Sequence, residues 1–276
     1  MTDKQRHKPS DPIGIFDSGI GGLTVANAIH QLLPNESIIY FGDTAHLPYG
    51  DKSPAAIKSY SLHIADVLLK NRCKIIVIAC NTASAIAYKT VKDHVEGAVE
   101  VVSVIEPTVE YVTAGNYTGS VGVIATKATI KSDVYAQEIK KVNSEVVVES
   151  LATPLLAPMI EEGFFNNKIS KTIINDYLSR PKLKKIDTLI LACTHYPLIK
   201  PEIESYYKGK VRIIDSTEIV AQKVKEKLAA ARLLNKDKKG KHHFYVSDYT
   251  RSFEQSTKLF FKGNVKLELL NIWKAF

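Results

Sequence analysis

Residues 75–82 read "IIVIACNT" and residues 189–196 read "LILACTHY". Each is an aliphatic run closing on Ala-Cys, followed by polar residues of the kind that cap helices. Unbroken apolar character over five or six positions is the pattern of a strand buried on both faces of a parallel sheet. Parallel neighbours need crossover connections, usually helical, so these two stretches predict an α/β architecture. The chain holds only three cysteines, and two of them close these strands.

Further runs of the same kind lie on both sides. With the quoted stretches extended to 74–80 and 187–193, the predicted strands are 13–18, 37–43, 99–105, 120–126, 145–152 and 210–216, with a late one at 243–248. Between them the period changes to that of helices. Residues 21–34 place Leu23, Ala26, Ile29 and Leu33 on one stripe and stop at Pro34. Residues 53–71 open on Ser53-Pro54 and keep Ile57, Leu62, Ala65, Leu68 and Leu69 together, and 218–234 reads as another helix.

The strands also fall into two matching sets. "GIFDSG" lies over "GVIATK", "IIVIACNT" over "TLILACTH", and "VVSVIEP" over "VRIIDST", with similar spacing from Gly14 to Cys80 and from Gly122 to Cys193. This predicts two similar domains of mainly parallel sheet flanked by helices, related by a pseudo-two-fold axis, with the active site in the interdomain cleft. The expected division is 11–105 with 217–276 as a discontinuous first domain, 106–216 as the second, and 1–10 as a flexible N-terminal tail.

Composition fits a soluble globular protein, with 45% hydrophobic and 24% charged residues. Apolar runs fall well short of the roughly 20 residues that span a bilayer. A polar N-terminus without a signal-like segment, and an odd number of cysteines, lead us to expect a cytoplasmic protein without disulfides. The net charge of +8 gathers in 180–187 and 235–244, where no aromatics interleave. We read a basic surface with no specific nucleic-acid partner and no membrane contact.

Ligands of open parallel sheets bind outside the carboxyl ends of the strands, where Cys80 and Cys193 are expected. A helix N-terminus there favours an anion such as a carboxylate and lowers a thiol pKa from about 8.5. Two thiols facing one ligand from opposite walls suit racemisation α to a carboxylate. One sulfur removes the α-proton, the other returns a proton to the opposite face, and the reverse reaction exchanges their roles. A lone strand-end cysteine is ordinarily a small core residue, and Cys73 is read as such. Neither Cys-x-x-Cys nor a spaced His pair accompanies the thiols, so no metal is expected.

Together "GIFDSGIGGLTV", "YFGDTAHLPYG", "ACNTAS" and "ACTHYPL" resemble the aspartate/glutamate racemase family, and within it the glutamate branch. "FDSGIGG" lacks both the P-loop lysine and the G-x-G-x-x-G spacing of nucleotide loops. The resemblance implies a cofactor-independent interconversion of L- and D-glutamate that supplies peptidoglycan synthesis, by a homodimer, with Cys80 and Cys193 as the catalytic pair. It implies substrate contacts at Asp17, Ser18, Tyr49, Gly50, Asn81, Thr82, Thr194 and His195, with His195 assisting Cys193. Asp17 is expected either to assist Cys80 or to bind the substrate ammonium. Asp43, Thr126 and Thr129 are weaker matches, with the Thr126 hydroxyl expected to face the cleft. Glu161, in "PMIEEGF", resembles an acidic residue the family places near the site, but on the sequence alone it is read as a solvated charge at a helix end. Aspartate and hydantoin racemases share the paired-cysteine plan, and a solute-binding protein or a regulatory binder would share the two-domain outline.

Overall fold

A computed structural model describes residues 7–115, 117–236 and 240–273. The chain alternates β1 (Ile13–Asp17), α1 (Leu23–Leu32), β2 (Ile38–Gly42), α2 (Pro54–Lys70), β3 (Ile75–Ile78), α3 (Asn81–His94), β4 (Glu100–Ser103) and α4 (Ile105–Thr113). A second series follows: β5 (Ser120–Ala125), α5 (Lys127–Ser132), α6 (Val134–Val142), β6 (Val147–Ala152), α7 (Leu156–Glu161), α8 (Lys168–Leu178), β7 (Thr188–Ala192), α9 (Lys200–Tyr207), β8 (Arg212–Asp215) and α10 (Thr217–Ala230). The chain ends with β9 (His242–Val246), α11 (Arg251–Phe260) and β10 (Leu267–Leu269).

The strands form two sheets. The first runs β10-β9-β2-β1-β3-β4 and the second β6-β5-β7-β8. Every pairing is parallel, with Ile13 of β1 level with Ile38 of β2 and Ile75 of β3. The two predicted sets of four thus take one strand order, with β2-β1-β3-β4 answered by β6-β5-β7-β8. The late strand predicted at 243–248 is β9, which pairs with β2, and β10 then pairs with β9.

Both faces of the first sheet are covered, which is why its strands read as unbroken apolar runs. On one face Phe16, Phe41, Ile76 and Ile78 pack with Ile57, Ile64 and Leu68 of α2 and Ala83, Ala87 and Val91 of α3. On the other, Ile13, Ile15, Tyr40 and Val77 pack with Leu23 and Ile29 of α1, in a core that continues through Val224 and Leu228 of α10 to Val123 and Leu191 of the second sheet. Cys73 belongs to the first of these clusters; a Cβ on Gly14 would lie 2.9 Å from its Sγ. Burial pushes the Cys73 thiol up to about 12.

Several strands end one or two residues before the predicted limits. β3 stops at Ile78 because the chain then turns, and Cys80 serves as the N-cap of α3. Residues 1–6 of the predicted tail and 237–239 of the lysine-rich loop lie outside the described residues. From Pro9 onward the tail is held, since the Pro9 carbonyl accepts a hydrogen bond from the buried Lys74 ammonium. That ammonium is also paired with the buried carboxylate of Glu36. Among the described residues no helix is long and apolar enough to cross a membrane.

Candidate active site

Both catalytic candidates stand at carboxyl ends of central strands, Cys80 beyond β3 and Cys193 beyond β7. They line one cavity of about 200 Å³, together with Ser18, Tyr49, Asn81, Thr82, Thr194 and His195 among others. That volume lies below the roughly 300–1,000 Å³ of pockets for drug-sized ligands and suits a small substrate. A larger cavity of about 740 Å³ between α1, α10 and the end of α11 contains none of the predicted site residues.

The two thiols have unlike surroundings. The Cys80 Sγ–H donates to Ser18 Oγ at 3.6 Å, and Sγ accepts from the Ala83 N–H at 3.4 Å. Burial, then the charge of Asp17, pushes the Cys80 thiol up to about 12, against the smaller opposing pull of the Ala83 and Ser18 hydrogen bonds. The lowering expected from the helix N-terminus is therefore overturned. Cys80 is 5% exposed, and desolvation of the thiolate outweighs one long N–H···S contact.

Cys193 differs in local structure as well. The expected helix does not start at the thiol; a 3₁₀ turn over Tyr196–Ile199 intervenes before α9. Cys193 Sγ lies 3.6 Å from His195 Nδ1, and His195 Nε2 lies 2.9 Å from Glu161 Oε1. Burial alone would lower the imidazole pKa, but contact with Cys193 and Glu161 holds it well above its ordinary value. Reading Glu161 as a solvated helix-end charge is thus corrected. It ends α7 and lines the cavity as the partner of His195.

The remaining predicted residues fall into three groups. Ser18, Tyr49, Gly50, Asn81, Thr82 and Thr194 line the cavity. Asp17 lies behind that wall, fully buried, with Oδ2 accepting from the Gly19 and Gly22 N–H groups and Oδ1 unpartnered among the described residues. Burial raises its pKa, and the nearby His195 charge partly offsets this. The Tyr49 hydroxyl donates to Asp43 Oδ2 at 2.7 Å. Asp43 is a buried hub, since Ser247 Oγ and Trp273 Nε1 both donate to its Oδ1, at 2.7 and 3.0 Å.

Contacts across the two halves close the cavity. Thr82 Oγ1 lies 2.9 Å from Thr126 Oγ1 and 3.1 Å from Thr129 Oγ1, and Thr126 is one of the residues lining the cavity. A Cβ on Gly50 would lie 2.9 Å from the Thr126 Cβ, and one on Gly21 would lie 2.4 Å from His195 Cε1. Glycine at these two positions lets loops of the first sheet close on side chains of the second. Tyr135, which the sequence did not single out, reaches from α6 to Asn81 Oδ1 at 2.7 Å. No local motif marks Tyr135, and only the family resemblance of "PMIEEGF" marks Glu161, because each meets its partner only through the tertiary fold. Among the described residues no cluster of His, Cys, Asp and Glu is arranged to hold a metal ion.

Residues 14–224 match the family model described as Asp/Glu/Hydantoin racemase. The chain is 43% identical over 258 residues to the glutamate racemase of Geobacter metallireducens, covering 93% of this chain and 95% of that one. It is 42% identical over 272 residues to that of Chlorobium phaeobacteroides, covering 97% and 100%. The crystal structure of glutamate racemase from Francisella tularensis in complex with D-glutamate superimposes with a TM-score of 0.91 at 40% identity, covering 96% of this chain and 99% of that one.

Proposed function

The chain belongs to the Asp/Glu/hydantoin racemase family, and from that premise we propose that it interconverts L- and D-glutamate through Cys80 and Cys193. The observation that carries the reading is the opening of both thiols onto one small cavity. A relative of high coverage binds D-glutamate, which supports glutamate as the substrate.

In the direction from L-glutamate, the Cys193 thiolate takes the α-proton and becomes a thiol. The C–H electron pair passes into the α-carboxylate as the carbon flattens. The Cys80 thiol then gives its proton to the opposite face, forming D-glutamate and leaving a Cys80 thiolate. Reversal runs through the same groups with their roles exchanged. The charged form of His195 stabilises the Cys193 thiolate, while burial keeps the proton on Cys80 until the carbanion takes it. Asp17, behind the wall, acts on Cys80 through its charge.

The α-carboxylate is seated by Ser18, Asn81, Thr82 and Thr194, with the first-turn N–H groups of α3 favouring its charge. Fixed dipoles in a closed site supply most of the barrier lowering, since base placement alone contributes about 10²–10⁴-fold. Two sulfurs provide both proton-transfer groups, so the reaction as written consumes no cofactor. We place the activity in the cytoplasm, in a homodimer, feeding D-glutamate to peptidoglycan synthesis. We divide the chain into 11–105 with 217–276 and 106–216, one unit to each sheet.

Incubation with either enantiomer in D₂O tests the reading. Deuterium should enter the α-position as the optical rotation decays, and Cys80→Ala or Cys193→Ala should reduce racemisation by about 10²-fold or more. Racemisation at the parental rate in either variant would overturn the two-thiol mechanism.

A further inference from the structure

The Asn81 amide is held from one side only. Its Oδ1 accepts the Tyr135 hydroxyl at 2.7 Å, while its Nδ2 is buried and has no hydrogen-bond partner among the described residues. Asn81 lines the cavity and is 3% exposed; Tyr135 is equally buried and stands outside the cavity lining. An unpaired buried N–H costs stability and is tolerated where a ligand supplies the missing acceptor.

A side-chain amide has one acceptor oxygen and two N–H donors, and its two ends exchange on a half-turn. With the oxygen engaged by an O–H donor, the amide is left with N–H to offer an incoming acceptor. After a half-turn it would present oxygen, which repels a carboxylate. Resting on the glutamate racemase reading above, we propose that Tyr135 is a positioning residue, fixing the Asn81 amide so that Nδ2 donates to a substrate carboxylate. Burial, then the charge of Cys193, raises the Tyr135 pKa, which favours the protonated, hydrogen-donating phenol. Tyr135 is carried by α6, in the second series of elements, whereas Asn81 opens α3 in the first. The grip on the carboxylate is therefore set only when both halves are in register.

Steady-state kinetics in both directions, on the full chain, decide the matter for the parent, Tyr135→Phe, Asn81→Ala and the double variant. Tyr135→Phe keeps the packed ring and should raise KM for both enantiomers by about tenfold, with kcat within about twofold of the parent. The same factor is expected for L- and D-glutamate, because equal kcat/KM in the two directions is fixed by an equilibrium constant of one. Asn81→Ala should give the same KM rise, and adding Tyr135→Phe to it should change KM by less than about twofold.

An unchanged KM in either single variant overturns the proposal. So does a Tyr135→Phe effect that falls on kcat, or one that persists at full size in the Asn81→Ala background, since a purely structural role would persist there. A parent protein inactive on glutamate would instead overturn the substrate reading on which the proposal rests.

Discussion

At Cys80, burial and the Asp17 carboxylate hold the proton on sulfur up to a pKa of about 12, whereas Cys193 meets an imidazole whose own pKa is raised. A raised thiol pKa leaves less thiolate at neutral pH, so Cys80 should alkylate slowly there. In a Cys193→Ala protein, iodoacetamide labelling of Cys80, followed by peptide mass, should titrate with a midpoint above the ordinary value of about 8.5. A midpoint at or below that value would show that burial does not govern this thiol. Glu161 is one of the contacts that raise the His195 pKa, so Glu161→Gln should let the imidazolium lose its proton at lower pH. The alkaline limb of the kcat–pH profile should move down by about one unit, so that kcat falls by up to about tenfold on the alkaline side of the parent's limb and is unchanged well below it. The paired cysteines were legible because the Ala-Cys context repeats at matched strand ends. Glu161 was marked only by family resemblance, because its meeting with His195 spans two elements and leaves no pattern of its own.

Between elements, the contact that most constrains the site is the loop from β1 to α1 lying on His195. A methyl group at Gly21 would sit 2.4 Å from His195 Cε1 and 2.7 Å from Thr194 Oγ1, and the buried ring has little room to retreat. Gly21→Ala should therefore lower kcat by at least about tenfold by misplacing the imidazole. It should also cost about 1–3 kcal/mol of stability through overpacking, measurable by urea unfolding. Parental kcat in a stably folded variant would show that the loop does not fix His195. The strands could be found from the sequence because burial on both faces makes them uniformly apolar. Their ends could not, because residues such as Ala79 and Cys80 continue the apolar pattern by type while the backbone has already turned. The 3₁₀ turn after Cys193 escaped for a related reason: "THYPL" offers both polar capping residues and a proline, which suit a helix start and a tight turn alike.

Across the whole molecule, a shared strand order of four is repeated in two sheets, and the chain then returns to extend the first with β9 and β10. The repeat was visible in landmark spacing. The return was visible only as one late apolar run, since the position of a strand in a sheet depends on long-range pairing. The chain around Pro9 and the segment after α10 are secured at Lys74, whose ammonium bonds Glu36 and the carbonyls of Pro9 and Leu233. Glu36→Ala leaves that buried charge without its counterion and should cost about 3–5 kcal/mol, read as a lowered urea midpoint. A midpoint within error of the parent would show that the pair is not holding these segments. At the far end of the described chain, Trp273 bonds Asp43, the carboxylate that also accepts the Tyr49 hydroxyl. The sequence contains one tryptophan, so all of the indole fluorescence comes from a ring two hydrogen bonds away from a cavity wall, through Asp43 to Tyr49. Its emission wavelength and quenching are thus an internal optical gauge of that wall, and ligand entry can be titrated on the native chain without attaching a dye.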